Sequence, residues 1–212
     1  MNQKKKKIFW IGALFILLHS ACLSSAPAQA ESDPRPDFIS VLNDENIRSF
    51  LKETSDVSTG QRASMSDQDV IDYFDNHIAE KGEFKSRMHY EIPGYPAQDN
   101  EIRLDKTHYI DTVVKGRHML EDYRASIDIQ NLKIKGNGKG ATFTSIITEK
   151  GKMAVPKDPE KPEEIEMVPI EGKSVCEQRL VISFNNYIQM ASADCTTTIN
   201  FDPFAGKPLV PE

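Results

Sequence analysis

In CEQRLVISFNNYIQMASADC, residues 176–195, the two cysteines stand at equal distances from the central pair Asn185-Asn186. Antiparallel strands pair so that partner numbers sum to a constant, and about that centre Leu180 meets Ala191, Val181 meets Met190 and Cys176 meets Cys195. The expectation is a β-hairpin in one register, closed by a cross-strand disulfide. A two-residue loop would make the cysteine pair a hydrogen-bonded one. The four-residue loop FNNY makes it the closer, non-hydrogen-bonded kind, and that wider loop is expected here.

Whether the thiols oxidise depends on the compartment, and the N-terminus addresses that. MNQKKKKIFWIGALFILLHSACLSSAPAQA has lysines at positions 4–7, an apolar run over 8–18 and the small-residue ending Ala28-Gln29-Ala30. These are the basic, apolar and cleavage regions of a secretory signal peptide in order, so cleavage is expected after Ala30 and the chain is expected in the periplasm or secreted. Two other readings place it at a membrane: lipid attachment at Cys22, or an uncleaved leader. Against the second, the apolar run is shorter than the ~20 residues a spanning helix needs. Against the first, His19 stands three before Cys22, where lipoprotein signals carry a leucine-like side chain. With Cys22 removed, Cys176 and Cys195 are the only cysteines in an exported chain, and exported compartments oxidise thiols.

The leader also takes four of the 26 basic residues and none of the 32 acidic ones, which leaves a net charge near −10. That balance argues against nucleic acid or anionic lipid as a partner. About 180 residues suffice for one domain with an ordinary core.

Four regions follow: signal peptide 1–30, an N-terminal extension with short helices 31–65, a domain over 66–201 and a tail 202–212. In the extension, Phe38, Val41, Leu42, Ile47, Phe50 and Leu51 allow one or two short helices. Ser66 followed by Asp69 forms a capping box for a helix whose apolar face is Val70, Ile71, Phe74 and Ile78, ended by Gly82. FKSRMHYEI then alternates as a strand up to Pro93-Gly94, and LDKTHYIDTVVKG is helical, with Asp105 as N-cap and Gly116 as stop. From Tyr123 onward the chain reads as strands, with GNGKG as a hairpin turn. The acidic segment 156–169, which holds four prolines, reads as a protruding loop. Helices first and a meander of long strands after them is an α+β order.

Over residues 66–201 this order and texture resemble the nuclear transport factor 2-like superfamily, including SnoaL-like proteins. The resemblance rests on DVIDYFDNHI, FKSRMHYEI, KTHYIDTVVKG and the strands YRASIDIQNLKIKGNGKGATFTSIITEKG and QRLVISFNNYIQMASADCTTTINF. It implies a cone-shaped α+β domain in which a curved antiparallel sheet wraps over helices and encloses an apolar pocket. Members include enzymes, small-ligand binders and protein-binding scaffolds, so the fold alone does not select an activity.

No catalytic constellation is visible. His77, His89, His108 and His118 fall on different elements with no metal-site spacing, there is no nucleophile elbow or phosphate loop, and neither metal nor cofactor is expected. Carboxylate, imidazole or phenol groups held in an apolar cone would suit proton transfer, because burial moves their pKa values. Tyr90, His108 and Asp111 are the ligand-pocket candidates. The expectation is a non-catalytic binding or interaction module for a small apolar ligand or an envelope protein, with a homodimer through the sheet face as a further possibility. The alternative is a SnoaL-like isomerase, cyclase or dehydratase using an Asp/His pair in the cone.

Overall fold

A computed structural model of the chain describes residues 39–62, 64–91, 97–158 and 161–201. The leader, with Ala30 and Cys22, lies outside them, as do Pro93-Gly94 and the tail. Among the described residues no helix is long and apolar enough to cross a membrane.

Among the described residues three helices precede or interrupt six strands: α1 (Asp44–Ser58), α2 (Asp67–His77), β1 (Ile78–Glu91), β2 (Gln98–Leu104), α3 (Lys106–Arg117), β3 (Leu120–Ile134), β4 (Gly140–Asp158), β5 (Lys161–Ile182) and β6 (Ile188–Phe201). Each helix begins where its sequence provides a cap. Asn43 and Asn46 form a reciprocal box at α1, Ser66 and Asp69 do so at α2, and the Asp105 side chain accepts the His108 backbone N–H at α3. One sheet holds all six strands in the order β2-β1-β6-β5-β4-β3. Four ladders are antiparallel and the β1–β6 ladder is parallel. The helices bury Ile47, Phe50, Val70, Phe74 and Tyr109 against Phe84, Met88, Phe143, Ile147 and Ile199 of the sheet in a single core.

Several local expectations need correction. The α2 pattern does not run on to Gly82: the helix stops at His77 and Ile78 already opens β1. Gly82 instead lies in an irregularity of the β1–β6 ladder, and a Cβ there would meet the Ala79 carbonyl oxygen at 2.9 Å. Strand β2 has no counterpart in the sequence reading, because an edge strand with mostly exposed side chains shows no apolar alternation. Segment 156–169 is not a loop. It continues β4 and β5 as a two-stranded ribbon, with Val155 opposite Glu166 and Asp158 opposite Lys161. Pro156, Pro162 and Pro169 are accommodated because β3 pairs no further than Met153 and β6 no further than Ile170, so the outer edges there need no N–H donors.

The cysteine hairpin forms as expected at its far end and differs near the turn. Cys176 and Cys195 are partners joined by a disulfide, with Cα atoms 4.1 Å apart, the spacing of the closer pair type. Toward the turn, however, Leu180 pairs with Met190 and Val181 with Gln189, one residue off the expected register. A three-residue loop, Phe184-Asn185-Asn186, replaces the four-residue one. The Ser183 N–H donates to the Tyr187 carbonyl at 2.8 Å, and Asn186 takes φ +63°. A bulge between Leu180 and Arg179 restores the cysteine register.

Candidate functional site

Alternation along β4 sends Ala141, Phe143, Ser145, Ile147 and Glu149 to the inner face and Thr142 and Thr148 to the other. Glu149 therefore carries a carboxyl into the core, where it is 1% exposed. Its neighbours across the sheet are Ala125 on β3 and Gly172 on β5, followed by Ile199 on β6 and Tyr90 on β1. This row lies within two residues of the ends of β1 and β6, near one rim of the sheet.

Neither carboxyl oxygen of Glu149 has a hydrogen-bond partner, and the buried hydroxyl of Tyr123 has none either. Burial pushes the Glu149 carboxyl up to about 8, with Tyr123 acting in the opposite direction. Burial first, and the Glu149 charge second, hold the Tyr123 phenol well above its ordinary range. Tyr123 is itself fixed: its carbonyl accepts from Gln61 Nε2 at 3.0 Å, and its ring lies against Gly151, where a Cβ would meet Tyr123 Cδ2 at 3.0 Å. A carboxyl that holds its proton at neutral pH and loses it just above can both give and take a proton under ordinary conditions.

The same face carries further polar groups. Ser174 and Thr197 hydroxyls bond across the strands at 2.9 Å, and Gln178 Nε2 donates to Ser145 Oγ at 3.0 Å. Ser86 Oγ, the Tyr109 hydroxyl and Gln178 Oε1 are buried without partners. The outer face bears a groove of about 550 Å³ that includes Lys150, Glu171, Lys173 and Val175. Two of its charges, Lys150 and Glu171, pair at 2.6 Å.

The three pocket candidates separate. Tyr90 is buried, its hydroxyl donating to Met88 Sδ at 3.0 Å, and burial raises its pKa. His108 and Asp111 lie on the wet side of α3, with side chains 72% and 57% exposed, each engaged locally: His108 with Asp105 at 2.8 Å and Asp111 with Lys115 at 2.6 Å. They do not reach the inner face with Tyr90, because α3 turns Tyr109, Ile110 and Val113 inward instead. His89 and His118 are likewise at the surface, on Asp99 and Asp67. His77 is packed among Phe50, Tyr73 and Tyr187 with Nδ1 on the Ile188 carbonyl, and burial lowers its pKa. Among the described residues no group of three or more His, Cys, Asp or Glu side chains could hold a metal ion.

Glu149 is not among the candidates drawn from sequence, although its signal is present there. In ATFTSIITEKG it occupies the phase of Phe143 and Ile147, so a strict period of two already assigns it to the apolar face.

No family model matches the chain, and no curated protein matches it in sequence. Solved structures that overlay on it include ActVI-ORFA from Streptomyces coelicolor, at 15% identity over 79% of this chain and 96% of that one, with a TM-score of 0.44. A type 2 hexachlorocyclohexane dehydrochlorinase (LinA) overlays at 10% identity over 79% and 95%, TM-score 0.42. The type 3 enzyme from Novosphingobium barchaimii does so at 10% over 79% and 97%, TM-score 0.42. Likenesses this distant transfer no activity. The element order and the strand order, with helices packed on the inner face of one six-stranded sheet, are those of the α+β arrangement that the nuclear transport factor 2-like resemblance implies.

Proposed function

We propose that the domain performs acid–base chemistry on a small, mostly apolar molecule held against the inner face of the sheet, with Glu149 exchanging the proton and Tyr123 donating a hydrogen bond. The reaction class is that of an isomerase, cyclase or dehydratase, in which a proton leaves one carbon or oxygen of the substrate and is returned at another. The observation that carries this reading is the Glu149 carboxyl, wholly buried with both oxygens unpartnered. A protein core gains nothing from such a group, whose burial disfavours folding, and perturbed carboxyls of this kind concentrate at functional sites. A purely binding module, the function expected from sequence, would be served equally by a neutral amide at this position. Export belongs to the proposal as well. The Cys176–Cys195 disulfide supports an oxidising compartment, reached through the leader with cleavage after Ala30.

The test is recovery of the protein from its native envelope, identification of co-purifying small molecules by mass spectrometry, and assay of their conversion. Conversion by the native protein that Glu149→Gln abolishes, while the variant still folds and still binds, supports the enzyme. A bound molecule that neither protein converts would return the domain to the class of binders.

A further inference from the structure

Opposite the Glu149 rim, the sheet ends in two turns that touch. The Ile182 N–H donates to the Lys139 carbonyl at 3.2 Å, which sets the β3–β4 turn beside the β5–β6 turn. The start of the described chain packs onto the same place, since the Leu42 N–H donates to the Gly138 carbonyl at 2.8 Å. Gly138, at φ +68°, leaves no room for a side chain there: a Cβ would lie 2.8 Å from the Val41 Cβ.

This end combines features that do not stabilise the fold. Phe184, at the tip of the disulfide hairpin, is 100% exposed, and Val41 and Ile134 beside the adjoining turn are 50% and 38% exposed. Lys133, Lys135 and Lys139 are exposed or half-exposed there, and no salt bridge to a carboxylate is formed by any of them among the described residues. Asp44, at the start of α1, is paired with Arg48 at 2.8 Å. A protein with excess acid thus has a basic, apolar tip at one end.

We propose that this tip docks on an anionic phospholipid surface, with Phe184 entering the headgroup boundary and the three lysines facing the lipid phosphates. An aromatic side chain at the apex with ammonium groups around it matches such a surface in both polarity and charge. The net negative charge of the rest does not prevent it, because charges beyond roughly 8 Å are screened at physiological salt and only the tip approaches the bilayer. Residue 39, the first described, lies close to Leu42, whose N–H donates to the Gly138 carbonyl at this end. The proposal is independent of Glu149 and of any activity.

The test uses a chain beginning at Glu31, which keeps every described buried side chain, since all lie between Leu42 and Phe201. Removing the leader removes Trp10, the only tryptophan, so Phe184→Trp supplies a single reporter at the tip. Co-sedimentation with phosphatidylglycerol-containing vesicles but not with pure phosphatidylcholine is expected, together with a blue shift of the reporter's indole emission only on the former. Exchanging Lys133, Lys135 and Lys139 for Glu should weaken binding roughly tenfold or more, as should raised salt. These side chains lie at the surface, and circular dichroism checks that the variant folds. Absence of binding to the anionic vesicles at low ionic strength, or binding that the triple variant retains, overturns the proposal. A blue shift that grows with protein concentration without vesicles also overturns it and assigns the tip to contact between copies.

Discussion

A Cβ placed on Gly172 would lie 2.8 Å from Oε2 of Glu149, so the bare backbone of β5 is the surface on which the buried carboxyl rests. Gly172 is not at positive φ, so an alanine there meets crowding and no backbone strain. Gly172→Ala is expected to fold, to lose about 1–3 kcal/mol by overpacking, and to displace the carboxyl. Denaturant unfolding measures the loss, and the infrared band of the carboxyl reports the displacement. An unchanged band would mean that the two residues are not in contact.

Glu149 also makes stability depend on pH with a definite sign. In the unfolded chain its carboxyl ionises near the ordinary 4.5, and in the fold it keeps its proton to about 8. Between those values the folded state holds the extra proton, so rising pH removes stability across that window and changes nothing further above it. Glu149→Gln should match the native protein near pH 4 and exceed it by a few kcal/mol near pH 8. Unfolding free energies at the two pH values decide, and equal differences at both would show that the carboxyl is not protonated in the fold.

The Cys176–Cys195 bridge closes a loop of about twenty residues, and both cysteines are buried on the inner face. Reduction, or the double change to serine, should lower stability by roughly 3 kcal/mol on the chain-entropy account. Identical urea midpoints with and without reductant would deny the bridge that role.

His108 and Asp111 serve as the contrast. Both are exposed and engage only neighbours on or capping α3, so His108→Ala and Asp111→Asn should each change stability by no more than about 0.5 kcal/mol. Conversion of any co-purified metabolite should be unaffected. Loss of conversion in either variant would move the active site to the outer surface of α3.

What the residues decide by themselves is local. The Ser66/Asp69 box, the Asp105 cap, the GNGKG turn and the alternation of β3 to β6 act within a few positions of chain, where hydrogen bonding and side-chain period suffice. The cysteine pairing is readable for the same reason, because a hairpin's register descends from its turn, although the loop length and the register beside the turn each differ from expectation by one residue, and the bulge compensates. Tertiary structure decided everything that needs a distant neighbour. The parallel β1–β6 ladder joins segments about a hundred residues apart, β2 exists only because β1 offers it an edge, and Pro156, Pro162 and Pro169 are tolerated only where β3 and β6 have ended. The site belongs to both levels. Alternation turns Glu149 inward, but its proton affinity is set by the packing that seals it from water, which no spacing along the chain expresses.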